Sequence, residues 1–88
     1  MTLDELSYIV GQSLKIETNP SSNGKAIFFV SFRHAEIKGD GVLISVAGNG
    51  TTLAKAKKDY AKQIAGKQLV FNAWGEDRRE YNIPTTLR

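Results

Sequence analysis

The sequence predicts one small α+β domain spanning residues 1–88, in the order α-β-β-β-α-β-β, with an antiparallel sheet and two helices on one face of it. Three observations point there. Residues 2–10 and 51–65 space their apolar side chains as helices do. The stretches between and after them alternate apolar and polar residues, or are rich in β-branched and aromatic side chains, as strands are. The links between those stretches are short, which makes sequential strands antiparallel neighbours. No internal repeat and no linker divides the chain.

Thr2 is placed to cap the first helix, and Glu5 stands three residues on, where it can close a reciprocal capping box. Leu3, Leu6, Ile9 and Val10 make the apolar stripe, and Gly11 ends the helix. Leu14 and Ile16 alternate with Lys15 and Glu17 in a short strand. Asn19-Pro20-Ser21-Ser22-Asn23-Gly24 is a cluster of turn-favouring residues. Ala26 to Ile37 reads as one long strand. Phe28, Val30 and Phe32 take one face, Phe29, Ser31 and Arg33 the other, and His34 falls on the Phe28/Phe32 side near the strand end.

Lys38-Gly39-Asp40-Gly41 is a tight hairpin turn, from which Val42 to Ala47 returns as a third strand that Gly48-Asn49-Gly50 ends. Thr51 or Thr52 caps a second helix running to about Ala65, with Leu53, Ala56, Tyr60 and Ile64 on its inner face and Gly66 closing it. Leu69 to Trp74 is a fourth strand, Gly75-Glu76-Asp77 a turn, and Arg79 to Ile83 a fifth strand ended by Pro84. The final residues are expected to fray.

Composition narrows the chemistry. With no cysteine, the chain has no disulfide, no thiolate nucleophile and no cysteine-built zinc site. His34 is the single histidine, which leaves no metal site of the usual kind. No G-x-S-x-G turn marks a nucleophile. The carboxylate pairs Asp4-Glu5 and Glu76-Asp77 fall at a helix start and a turn, where acids are common for structural reasons. The expectation is a protein with no catalytic residue, no metal and no cofactor. Met1-Thr2-Leu3-Asp4-Glu5 does not open a signal peptide, and no apolar run approaches the roughly 20 residues that span a bilayer. A soluble, cytoplasmic protein is therefore expected.

The net charge of +3 is unevenly spread: residues 51–67 hold five lysines against Asp59, so the rest of the chain is slightly acidic. Lys55, Lys58 and Lys62 follow i, i+3, i+7 spacing and share one side of the second helix, with Lys57 flanking them. Such a cluster can track a phosphate backbone, and it can equally be a solvated face opposite the apolar stripe. Gly48-Asn49-Gly50-Thr51-Thr52 leads into the helix start and could hold an anion on backbone N–H groups. It lacks the P-loop spacing, and a plain strand-to-helix turn with a threonine cap fits it too. Trp74, Arg78, Arg79 and Tyr81 meet in the last hairpin, where aromatics beside arginines either cover a core edge or stack on unpaired bases.

Three family likenesses rest on these residues. Gly48-Asn49-Gly50-x-Thr52, Ala56, Asp59-Tyr60, Ile64, Gly66-Lys67-x-Leu69-Val70-Phe71-Asn72-Ala73, Arg79 and Ile83-Pro84 together resemble a group of short phage- and prophage-encoded proteins. Members of that group are acidic around positions 54 and 55, where this chain has Ala54 and Lys55. In architecture, a helix, three antiparallel strands and a helix entered through Gly-x-Gly with lysines near its start is similar to a double-stranded-RNA-binding domain. That resemblance implies a core of this kind plus a C-terminal hairpin, with Lys55, Lys57 and Lys58 straddling phosphates across a major groove. Where that family carries a Gly-Pro-x-His element, this chain has Ser21-Ser22-Asn23-Gly24-Lys25. The Gly-x-Thr-x-x-x-Ala helix start also resembles HicB-like antitoxin domains, which implies a protein partner. The expected partners are thus RNA or DNA, or a host or phage protein, with a homodimer through a sheet edge such as Arg79 to Ile83 as a variant, and no membrane.

Overall fold

The computed structural model describes residues 1–20 and 24–88, so part of the Asn19–Gly24 turn cluster lies outside the described residues. Helix α1 covers Leu3–Val10. The strands β1 (Leu14–Pro20), β2 (Ala26–Phe32), β3 (Ala35–Gly39), β4 (Val42–Ile44) and β5 (Gly48–Gly50) follow, then helix α2 (Leu53–Ile64) and strands β6 (Gln68–Phe71) and β7 (Arg79–Asn82). The domain is α+β with antiparallel pairing throughout the described residues, but its strands form two sheets rather than one: β1-β2-β5 and β4-β3-β6-β7.

The expected capping box on α1 is present. The Thr2 N–H donates to Glu5 Oε1 at 3.1 Å, and the Glu5 N–H donates to Thr2 Oγ1 at 3.2 Å. Gly11 ends the helix in the left-handed region, at φ 68°. Leu3, Leu6 and Val10 are buried as expected, whereas Ile9 is exposed.

The single long strand expected over Ala26–Ile37 breaks after Phe32, and register gives the reason. Val30 faces Gly48 and Ile37 faces Ile44, so seven positions on the outgoing strand are matched by four on the return. The excess residues bulge out at Arg33 and His34, with His34 at φ 54°. Beyond the bulge, β3 keeps β4 on one edge and takes β6 on the other, Ala35 facing Phe71 and Ile37 facing Leu69. The return strand breaks in step at Ser45–Ala47. His34 therefore sits on an exposed turn and not on the Phe28/Phe32 face of a strand.

Gly48-Asn49-Gly50, expected only to end a strand, is itself β5 and pairs with Phe28–Val30 of β2. A Cβ on Gly48 would lie 2.6 Å from Tyr60 Cβ and closer still to the α2 backbone. One on Gly50 would lie 2.7 Å from Lys55 Cβ and 2.8 Å from the Ala56 nitrogen. Neither glycine is in the left-handed region, so their use here is to let a helix backbone approach a strand, not to make a turn.

One core covers this side of β2. Leu3, Leu6 and Val10 from α1 and Ala56, Tyr60, Ala61 and Ile64 from α2 pack with Val30 and Phe32. The aromatic rings form a chain across both sheets: Tyr60–Phe32 at 6.0 Å, Phe32–Phe71 at 5.4 Å and Phe71–Tyr81 at 5.8 Å between centroids, all edge-to-face. Each such pair contributes about 0.5–1.5 kcal/mol beyond its burial. The C-terminal segment does not fray as expected. Leu87 is buried and the Arg88 N–H donates to Met1 O at 3.0 Å. Gly66, at φ 73°, donates its N–H to Ile83 O and ties the end of α2 to this segment.

Tyr60 is 1% exposed, and its hydroxyl accepts the Phe32 N–H at 3.1 Å, beyond the point where the β2–β5 ladder stops. Burial pushes the phenol pKa up, opposed in part by that hydrogen bond. Tyr60→Phe keeps the ring but orphans a buried donor, and should cost about 1–3 kcal/mol in denaturant unfolding. The hydrogen bonds from Thr2, backbone first, hold the Glu5 carboxyl below its ordinary range. A carboxylate so depressed adds stability above its ordinary pKa and loses it as pH falls through the folded value. Glu5→Gln should therefore flatten the acid side of the stability-pH profile in that window.

Candidate nucleic-acid interface and the opposite trough

Helix α2 begins at Thr52, whose hydroxyl accepts the Lys55 N–H at 3.1 Å; of the two candidate caps, the structure uses this one. Seating on β5 fixes which way the helix faces. Ala56, Tyr60, Ala61 and Ile64 point inward, leaving Lys55, Lys58 and Lys62 exposed on the outer surface. Among the described residues no carboxylate lies within ion-pairing distance of these three. From Lys55 to Lys62 the helix rises about 10 Å, so the ammonium groups form a row rather than a cluster.

Lys57 is placed differently. It is half-buried and pairs with Asp4 at 3.1 Å, joining α2 to the first turn of α1. An exposed ion pair of this kind contributes at most about 1 kcal/mol. It nonetheless sets Lys57 apart from the other three as a helix-to-helix contact.

The expected anion-binding turn at Gly48, Asn49, Gly50, Thr51 and Thr52 has another structure. Its first three residues are ladder-paired as β5. The Asn49 N–H donates to Asp59 Oδ2 at 2.9 Å, so a carboxylate already occupies that donor. Gln63 Nε2 bridges Asp59 to Ala47 O, at 3.1 and 2.8 Å, which extends the tie between α2 and this strand. The segment holds the helix down, and the Asn49 N–H is committed to that tie.

The terminal hairpin separates its aromatics. Tyr81 is half-buried against Phe71, the core role expected of it. Trp74 is 89% exposed. It lies after β6, which ends at Phe71 instead of running to Trp74, because Asn72 turns into the left-handed region at φ 52° and donates its N–H to His34 O at 2.9 Å.

On the side of the β1-β2-β5 sheet away from α2 lies a trough that the sequence reading did not identify. A groove of about 610 Å³ is lined by Lys15, Ser31, Arg33, His34, Glu36 and Trp74, among others. A second, of about 220 Å³, shares Lys15, Ser31 and Ala47 with it and extends past Phe29 and Glu17 to Asn19. Lys15 and Glu17 pair at 2.8 Å along its wall. The available signal was the flip in alternation after Phe32, where apolar residues move from even positions to Ala35 and Ile37.

Among the described residues no group of three or more His, Asp or Glu side chains could hold a metal ion, and no helix is long and apolar enough to cross a membrane. No protein-family model, curated protein or solved structure matches the chain.

Proposed function

We propose that this chain is a small non-enzymatic phage or prophage accessory protein that contacts nucleic acid, RNA or DNA, through the outer face of α2, with Lys55, Lys58 and Lys62 on the phosphates. The observation that carries the reading is the division among the lysines. Lys57 is committed to Asp4, whereas Lys55, Lys58 and Lys62 stand exposed in a row without a carboxylate partner among the described residues. A row of free ammonium groups on a rigid helix is what a phosphate backbone recognises without reference to sequence. The order of helix, antiparallel strands and helix is compatible with a core similar to a double-stranded-RNA-binding domain, to which β6 and β7 are added. The phage and prophage origin rests on the residues of the second half of the chain quoted above. The non-enzymatic reading draws on His34, whose imidazole has no hydrogen-bonded acid or nucleophile among the described residues.

A second reading is a protein-interaction module, HicB-like or sheet-edge-binding, that engages a host or phage factor or a second copy of the chain. Strand β1 favours it: seven residues long, paired only with β2 and with Ile16 exposed, it is an open edge for a partner strand. Under this reading the lysines are silent, a partner co-purifies, and the mass in solution exceeds that of a monomer if the partner is a second copy.

The deciding experiment is a salt titration of binding to duplex RNA and duplex DNA. If all three lysines contact phosphates, log affinity falls against log salt with a slope of about −2.7. The Lys55→Glu, Lys58→Glu, Lys62→Glu triple variant should lose binding while keeping its unfolding midpoint, since the three residues are exposed, their charged ends have no ion-pair partner among the described residues, and the Cβ by which Lys55 meets Gly50 is retained in Glu. Equal binding by the triple variant would contradict the proposal.

A further inference from the structure

The helix-free trough carries an inference that does not depend on the lysine row. It lies on the other side of the β1-β2-β5 sheet and rests on different residues. We infer that this trough binds an unpaired nucleotide, with the base stacked on Trp74 and the phosphate held by Arg33.

The first support is how the indole is presented. The segment Asn72–Arg78 is tied down at several points: Asn72 N–H to His34 O at 2.9 Å, Gly75 N–H to Asn72 O at 2.9 Å, and Arg78 Nη1 to Ala73 O at 3.3 Å. Asn72 Nδ2 also reaches Asp77 O, at 3.4 Å. Trp74 is thus the exposed side chain of a held loop, not of a loose one, and stands at the groove rim rather than in the core. The backbone beneath the indole is thus already ordered, so a stacking partner has only the side chain's own rotations left to fix.

The second support is the chemistry around it. Two residues with left-handed backbone, His34 and Asn72, meet through their hydrogen bond at the same groove. His and Asn adopt this conformation more readily than most residues, so the pair marks a tight, locally favoured joint that fixes the groove's rim. The bulge that His34 closes also places Arg33 in the groove lining, and no carboxylate pairs with Arg33 among the described residues. Lys15 is paired with Glu17 at 2.8 Å, which leaves Arg33 as the lining cation with no carboxylate partner among the described residues, while Ser31, Ser45 and Asn72 add hydrogen-bonding groups. A planar apolar ring beside an unpaired guanidinium, over a lining that mixes Ser31, Ser45 and Asn72 with Val46, Ala47 and Ala73, matches an aromatic base joined to a phosphate. A duplex does not fit, because its bases are stacked on one another and offer no free face to Trp74.

Trp74 is the only tryptophan, so its fluorescence reports on the trough directly. The full-length chain is titrated with adenosine monophosphate, with a short single-stranded oligonucleotide and with the matching duplex, while tryptophan is excited selectively. The single strand, or the mononucleotide as well, should quench Trp74 saturably, and the duplex should not. Saturation by mononucleotide at comparable affinity identifies a free nucleotide as the source; a response to the strand alone identifies single-stranded nucleic acid. In anisotropy with a labelled ligand, Trp74→Ala should weaken binding roughly ten-fold or more, as expected for a lost base stack. Arg33→Ala should weaken it and lower the salt slope by about one. The α2 triple lysine variant should quench as the unaltered chain does. No response to nucleotide or strand would overturn the assignment and leave the trough to a protein contact. Equal quenching by the duplex, unaltered affinity in Trp74→Ala, or loss of quenching in the lysine variant would overturn it too.

Discussion

Two missing Cβ atoms set the geometry of this domain. Because Gly48 and Gly50 have no side chains, the backbone of α2 rests directly on β5, closer than any other residue pair would allow. That seating brings the Tyr60 hydroxyl to the Phe32 N–H and the Asp59 carboxylate to the Asn49 N–H, so the helix completes hydrogen bonding that the short ladder leaves open. The Phe32 N–H is a buried donor that must find a partner, and here a helix supplies it to a strand. The same seating turns Lys55, Lys58 and Lys62 outward. The charged surface is a consequence of how the opposite side of the helix is packed.

The second organising feature is the register change between β2 and β3. Without the extra residues, Ala26–Ile37 would run on as one strand of a single open sheet. The extra residues at Arg33 and His34 instead swing β3 into a different sheet, where β6 and β7 extend it. The joint is held by the Tyr60–Phe32–Phe71–Tyr81 ring chain on the inside and by the His34–Asn72 hydrogen bond on the outside. The two sides of the joint therefore differ in chemistry: apolar and close-packed within, open and lined by charged and polar residues in the trough without. The two proposed surfaces, the lysine row and the trough, lie on opposite sides of one thin sheet, and each can be altered without touching the other.

Local physics made much of this legible in the sequence. The Thr2–Glu5 box, the Gly11 stop, the inner face of α2, that of α1 except for the exposed Ile9, and the exposure of Lys55, Lys58 and Lys62 follow from spacing within a few residues, and the structure has them. What failed depended on distant partners. Gly48-Asn49-Gly50 reads as a turn because glycine is poor in strands, and only the helix packed on it makes glycine the fitting residue there. The break after Phe32 was written in the sequence as a change of alternation, but its cause is β6, more than thirty residues on. Lys57 reads like its neighbours until Asp4, on another helix, is found beside it. The exposure of Trp74 follows from the turn at Asn72, which the continuous run Leu69–Ala73 conceals.

The account stands most directly on the seating of α2, and equilibrium denaturant unfolding of Gly48→Ala tests it. A methyl group forced between β5 and the Ala56–Tyr60 backbone should cost about 3 kcal/mol, the upper end of ordinary overpacking, because backbone atoms cannot rotate away. Gly39→Ala is the control, since its added methyl meets nothing within 4 Å. It should change stability by no more than about 0.5 kcal/mol. Loss of stability in Gly48→Ala alone is the predicted result; equal stability of the two variants would contradict the claim that close approach at Gly48 holds the helix to the sheet.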